Sequence, residues 1–211
     1  MQVKGKNAMK LYDGGRAPNP RRVSVFLKEK GVEIERIPVK MDELGHRAPE
    51  ITALNPLQRL PILVLDDGTV LTESIAICRY IEELYPEPPL FGVGAKDKAL
   101  VEMWNRRMEL NFLAAVAATF RHTHPAMAGW EVPQIAEWGE ANRPKALAFL
   151  ELLDRELAGR EFIAGDRFSV ADITGLIGIG FMKPARIALP DNLSHVKRWY
   201  EAVSARPSAA S

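Results

Sequence analysis

The sequence predicts a small α/β domain of order β-α-β-α-β-β-α followed by an all-helical domain. Three observations predict it. Short apolar runs alternate with helical patterns as far as Pro86; "ILVLDDGTVL" places an Asp67-Gly68 turn between two apolar runs; and after the Pro- and Gly-rich stretch "YPEPPLFGVGAKD" no convincing strand follows. The expected boundaries are 8–86 for the first domain, 87–97 for a linker and 98–207 for the helical domain.

"AMKLY" is the first strand candidate, followed by the loop "DGGRAPNP". Val23, Phe26 and Leu27 then share a helical face, and Gly31 is suited to end that helix. "VEIERIPV" reads as a second strand, and a strand-helix-strand start implies a crossover and a parallel pair. "HRAPEITALNP" reads as a short helix bounded by prolines. The hairpin comes next, headed by Pro61, a residue normally kept out of central strands because it has no N–H to give. Ile77, Tyr80, Ile81 and Leu84 mark a third helix, with Thr72 as its expected cap.

In the second part, Lys96 to His124 carries one long helical pattern ended by Pro125. Leu147, Leu150, Leu153 and Leu157 share the face of a helix that Pro144 is expected to start or kink. Ser169-Val170-Ala171-Asp172 is a capping box with Asp in place of Glu, a folding signal rather than a chemical one. Val196, Trp199, Tyr200 and Val203 mark a last helix before Pro207.

Composition narrows the function. The 211 residues carry 28 Lys and Arg against 27 Asp and Glu, a formal net charge of +1, which gives no footprint for nucleic acid or an anionic membrane. Cys78 is the single cysteine, so no intrachain disulfide or Cys-based metal cage is possible, in keeping with a reducing compartment. The opening "MQVKGKNAMK" has no apolar core and does not read as a secretory signal, and Met9 offers an alternative start; a soluble, cytoplasmic protein is expected.

Standard nucleotide, esterase and metalloprotease signatures are absent, and His122 and His124, two residues apart, are not a metal pair; no metal is expected. Met103 and Met108 lie at helical spacing with Trp104 and Phe112, as core packing or as an adaptable apolar pocket wall. "RAPNPRRV" leads into a helix N-terminus, where an anion is favoured. In "TESIA", Ser74 suits a carboxylate and Glu73 an ammonium, together the head group of an α-amino acid, although ordinary helix capping also explains Thr72–Ser74.

The stretches "MKLYDGGRAPNPRRVSVFLKEKG", "HRAPEITALNPLQRLPILVLDDGTVLTESIAICRYIEELYP" and "FIAGDRFSVADITGLIGIG" resemble the cytosolic glutathione S-transferases in order and spacing, from Met9 to about Pro207. The resemblance implies a thioredoxin-like N-terminal domain, an all-α C-terminal domain, glutathione as co-substrate without a metal, and a homodimer. It implies a cis bond before Pro61, so that the backbone of Leu60 pairs with the cysteinyl part of glutathione like an added strand. It implies that Glu73 and Ser74 hold the γ-glutamyl end, and that His46 and Arg59 contact the glycine carboxylate.

Such an enzyme must ionise the glutathione sulfur, whose thiol at pKa near 8.5 is only a few per cent thiolate at neutral pH. Lowering that pKa by two units takes roughly 2.7 kcal/mol, about one hydrogen bond to a charged group plus a helix N-terminus. Here the sequence departs from the family: the usual Ser position falls on Ala17. Asn19, at a place matched by Asn in the bacterial nu-like transferases, becomes the expected donor, with Tyr12 the runner-up; their plainer readings are a turn residue and a packed strand aromatic. Met103, Arg107, Met108, Asn111 and Phe112 are the expected wall for a small hydrophobic electrophile, bound between the domains. The expected activity is conjugation of glutathione to such electrophiles in detoxification. The alternatives are glutathione-dependent disulfide or peroxide reduction, and non-catalytic binding of glutathione or another ligand.

Overall fold

The computed structural model describes residues 9–211; the reading of the first residues as a polar, non-secretory segment, and the start of the first domain at residue 8, lie outside them. The chain divides into two compact units at Pro88/Pro89, with Ser211 counted in the first.

The first unit follows the expected order: β1 (Lys10–Asp13), α1 (Pro18–Lys30), β2 (Glu35–Pro38), a 3₁₀ turn at Gly45–Arg47, α2 (Pro49–Leu54), β3 (Ile62–Val64), β4 (Val70–Leu71) and α3 (Ser74–Leu84). The sheet order is β2-β1-β3-β4, with β1 parallel to β2 and antiparallel to β3, and β3 antiparallel to β4. The register aligns Leu11, Leu63 and Leu71 across the sheet, and Tyr12 with Ile62. Because neighbours on a strand face opposite ways, these sets serve opposite faces. Tyr12, Ile62, Val64 and Val70 pack with Ile51 and Leu54 of α2 and with Leu60. The leucines serve the face where α1 and α3 pack against each other. Gly31 ends α1 in the left-handed region at φ 63°, as its position in the sequence predicts.

The second unit contains α4 (Gly94–Arg107), a π-helical turn (Met108–Leu113), α5 (Ala114–Thr123), α6 (Ala136–Leu157), α7 (Val170–Met182) and α8 (Ser194–Ser204). The long helical pattern is therefore one run interrupted by a wide turn, and α4 begins inside the segment read as linker. α6 begins at Ala136 and carries Pro144 within it, so the proline does not start the helix. The carbonyl that loses its partner to the proline belongs to exposed Glu140.

α7 is the centre of this unit: Val170 through Ile179 are all buried. A helix apolar on every side belongs in a core. Gly178 lets Phe112 lie against it, since a Cβ there would sit 2.5 Å from the ring. The predicted box is present at its start. The buried Asp172 carboxylate accepts from the Ser169 N–H (2.9 Å), the Ser169 hydroxyl (3.0 Å), the Ile163 N–H (2.8 Å) and the Trp199 indole (2.8 Å). Burial pushes its pKa up to about 6 against the pull of these donors. Asp172→Asn puts an NH2 among groups that donate, and is expected to lower unfolding stability by about 2–4 kcal/mol at pH 7.5. Urea denaturation measures this, and a loss below about 0.5 kcal/mol contradicts the role given to the carboxylate.

Candidate functional site

At Gly14 the loop after β1 meets the residue before Pro61, the first turn of α1 and Met41. A Cβ on Gly14 would lie 3.1 Å from Leu60, 3.2 Å from Pro20 and 3.3 Å from the Met41 sulfur, so the loop after β1 lies close against both α1 and the residue before Pro61 and a side chain there would make these neighbours give by a few tenths of an ångström. Asp13 holds that loop: its carboxylate accepts from the Gly15 N–H (2.8 Å) and from Arg36 (2.5 Å), while Arg36 also donates to the Ser24 hydroxyl (2.7 Å).

The loop delivers the N-terminus of α1. Ala17 is its cap residue and supplies no side-chain bond. Pro18 and Pro20 have no N–H, and the Arg21 N–H donates to the Ala17 carbonyl. The amides left open in the first turn are those of Ala17 and Asn19. Asn19 is exposed, whereas Tyr12 is half-buried in the cluster of Ile51, Leu60 and Ile62.

The second loop ends at a cis Leu60–Pro61 bond. Asn55 builds it: its amide donates to the Arg59 carbonyl (2.9 Å), and its side-chain oxygen accepts from the Leu57 N–H (3.1 Å). Leu60 is 7% exposed, its side chain sunk in the core, and no described loop hydrogen bond uses its amide or carbonyl. His46 is buried beside this region; burial first, then the charges of Arg47 and Arg59, hold its pKa below the usual imidazole value. His46 and Arg59 are therefore electrostatic neighbours, and the imidazole is neutral at pH 7.

The third loop opens α3. The helix starts at Ser74, with Glu73 as cap residue and no side-chain cap bond; Thr72 does not cap it. The reason is the backbone of Glu73, at φ 66° and ψ 117°, which turns the chain sharply into the helix. Side chains rarely adopt this region, and a residue held there costs on the order of 1–3 kcal/mol. Ser74 is buried, and its hydroxyl oxygen accepts from Arg22 of α1 at 3.0 Å. That bond leaves the hydroxyl proton to be given elsewhere.

The structure thus places Asn19, Leu60, Pro61, Glu73 and Ser74 on loops and helix starts of one unit, with His46 and Arg59 close enough to interact electrostatically. Sequence reasoning missed Arg22, Asp13, Arg36 and Asn55, which hold these loops. The Asn55-Pro56 turn signal was available for one of them; nothing in the sequence distinguishes Arg22 from Arg21 beside it. Cys78 is fully buried and burial pushes its thiol up to about 12, so it is no nucleophile.

The proposed acceptor wall lies in the second unit and divides in two. Met108 and Phe112 are fully buried, Phe112 stacking on Phe149 at 6.2 Å. Met103, Arg107 and Asn111 are exposed along one face of α4 and the π-turn. His122 and His124 accept backbone N–H bonds from Ile135 and Ala126.

The family model for the glutathione S-transferase N-terminal domain matches residues 7–83, and that for the C-terminal domain matches residues 103–207. The chain is similar to Glutathione S-transferase 2 of Saccharomyces cerevisiae, at 36% identity over 97% of this chain and 89% of that protein. Among solved structures it is similar to a glutathione S-transferase domain-containing protein of Marinobacter aquaeolei VT8, with TM-score 0.91 and 38% identity over 94% of this chain and 98% of the other. It is also similar to Gtt2 of Saccharomyces cerevisiae, with TM-score 0.90 and 34% identity over 95% and 98%.

Replacing Glu73 by Gly removes the backbone penalty at this position and is expected to raise unfolding stability by about 1 kcal/mol. Thermal or urea unfolding checks this; a clear loss of stability contradicts the strain assigned to Glu73.

Proposed function

We propose that this chain, which belongs to the glutathione S-transferase family and is a glutathione transferase with a thioredoxin-like first domain, joins the glutathione thiolate to small hydrophobic electrophiles. The observation that carries the reading is the convergence of three open features: the amides at the start of α1, the unengaged backbone of Leu60 before a cis proline, and the strained Glu73–Ser74 turn.

The cysteinyl backbone of glutathione pairs with the N–H and C=O of Leu60, as an added strand would. Ser74 gives its hydroxyl proton to the γ-glutamyl carboxylate, with Arg22 fixing the direction, and Glu73 meets the ammonium. Arg59 supplies charge to the glycine carboxylate and neutral His46 a single N–H. The sulfur lies at the N-terminus of α1, stabilised by the Asn19 amide group and by the two open N–H groups of the first turn. Packing supports Asn19 over Tyr12, whose ring contributes to the core cluster. The exposed face of Met103, Arg107 and Asn111 receives the electrophile, backed by Met108 and Phe112. Family likeness supports a homodimer. No helix among the described residues is long and apolar enough to cross a membrane, and the lone buried cysteine supports a cytoplasmic setting.

Asn19 in a loop without a cysteine favours a second reading, glutathione-dependent disulfide or peroxide reduction, and Ala17 is consistent with a third, non-catalytic binding. The chain's one thiol is buried, so reduction would run through two glutathione molecules rather than through an enzyme cysteine. Assays with chlorodinitrobenzene and with a small disulfide separate the readings: conjugation is expected, and reduction without conjugation overturns the first in favour of the second. Binding of glutathione without either activity leaves a ligand-binding protein.

Asn19→Ala is expected to raise the pKa of the bound thiol by about one unit, equal to about 1.4 kcal/mol, and to lower kcat/KM for conjugation about tenfold. Thiolate absorbance against pH in the glutathione complex reads the first effect. An unshifted titration removes Asn19 from this role.

A further inference from the structure

Arg36 of β2 bonds both ends of the loop that leads from β1 into α1. The parallel register sets Arg36 opposite Leu11 on one face of the sheet, and Asp13 follows on that face at the end of β1. One nitrogen of the guanidinium donates to the Asp13 carboxylate at 2.5 Å and to the Ser24 hydroxyl of α1 at 2.7 Å. Both partners are tied further. The Asp13 carboxylate accepts from the Gly15 N–H at 2.8 Å, and the Asp13 carbonyl accepts from the Val39 N–H at 2.8 Å. The Ser24 hydroxyl donates to the Pro20 carbonyl at 3.2 Å. A chain of bonds therefore runs from the end of β1, through Arg36 and Ser24, to the first turn of α1.

The loop between these ends holds itself weakly. Gly15 stands at φ 64°, Pro18 and Pro20 have no N–H, and Ala17 makes no side-chain bond at the cap. A helix N-terminus acts on an anion only within about its first turn, so a small displacement of this turn changes what it stabilises. The side chains of Arg36 and Asp13 are 41% and 13% exposed, and an ion pair with an exposed member adds little to stability. What the contact supplies is direction, because the planar guanidinium fixes the angle between its two acceptors.

We propose that Arg36 is a positioning residue for the sulfur of glutathione. It touches no substrate. It fixes the first turn of α1, and through that turn Asn19 and the open amides. This rests on the reading that the sulfur lies at this turn. The thiol proton leaves for solvent, and Arg36 neither gives nor takes one.

The test is the thiolate absorbance of the glutathione complex against pH. Arg36→Gln is expected to raise the pKa of the bound thiol by about 0.5–1 unit, about a three- to tenfold change in its ionisation constant. Asp13→Asn keeps an oxygen for the Gly15 N–H but sets an amide against the guanidinium, and is expected to raise the pKa as well. That result separates position from charge, since removing a carboxylate acts by charge alone to lower the pKa of a nearby thiol. Arg36→Lys, a point charge without the planar fork, is expected to recover part of the shift. An unshifted titration in Arg36→Gln, or a fall in Asp13→Asn, overturns the proposal and leaves the transferase reading standing. If Arg36→Gln does not fold, Ser24→Ala removes one acceptor of the clamp: a smaller rise is expected, and no rise overturns the proposal. If the unaltered complex shows no lowered thiol titration, the sulfur site and the proposal fall together.

Discussion

The bond from Arg22 to the Ser74 hydroxyl ties together the two helices on which the proposed glutathione site depends. The guanidinium is fully buried, and burying a charge is costly unless hydrogen bonds repay it. Within the proposed site, that bond ties the first residue of α3 to α1. The same bond uses one lone pair of the Ser74 oxygen and leaves its proton to be donated elsewhere. In the proposed site, a residue that touches no substrate thus orients the residue given to the γ-glutamyl end.

The helical unit rests on a comparable device with a different purpose. Asp172 gathers two backbone amides, a hydroxyl and an indole, joining the start of α7 to the 163 region and to α8. α7, apolar all round, needs a fixed starting point, because hydrophobic burial alone does not set its register. Around it, the contact of Phe112 with Gly178 sends one side of the π-turn into the core, while Arg107 and Asn111 remain outside.

Much of this was legible in the sequence because local chemistry decided it. The Asp67-Gly68 hairpin, Gly31 at the end of α1, the Ser169–Asp172 box and the proline heading β3 each depend on the geometry of a few adjacent residues. The misreadings share a cause. Thr72 is a good cap by type, yet the cap position went to Glu73 because the chain turns at a positive φ that tertiary contacts must hold. Of the two readings of Pro144, a start or a kink, the start is excluded, since α6 begins eight residues earlier at Ala136. The expected acceptor wall divides into buried Met108 and Phe112 and exposed Met103, Arg107 and Asn111 because residues next to one another in a helix face different ways, and periodicity alone does not say which face is inward. Arg22 was invisible for a simpler reason: its partner is 52 residues away.

Cys78 carries a consequence beyond the absence of disulfides. A protein that works among electrophiles and activated thiols is exposed to being alkylated by its own substrates or trapped as a mixed disulfide with oxidised glutathione. The chain offers one thiol of its own, enclosed in α3 and kept protonated by burial. In the proposed reaction the thiol of glutathione then meets no competing cysteine on the described surface, because Cys78 is buried.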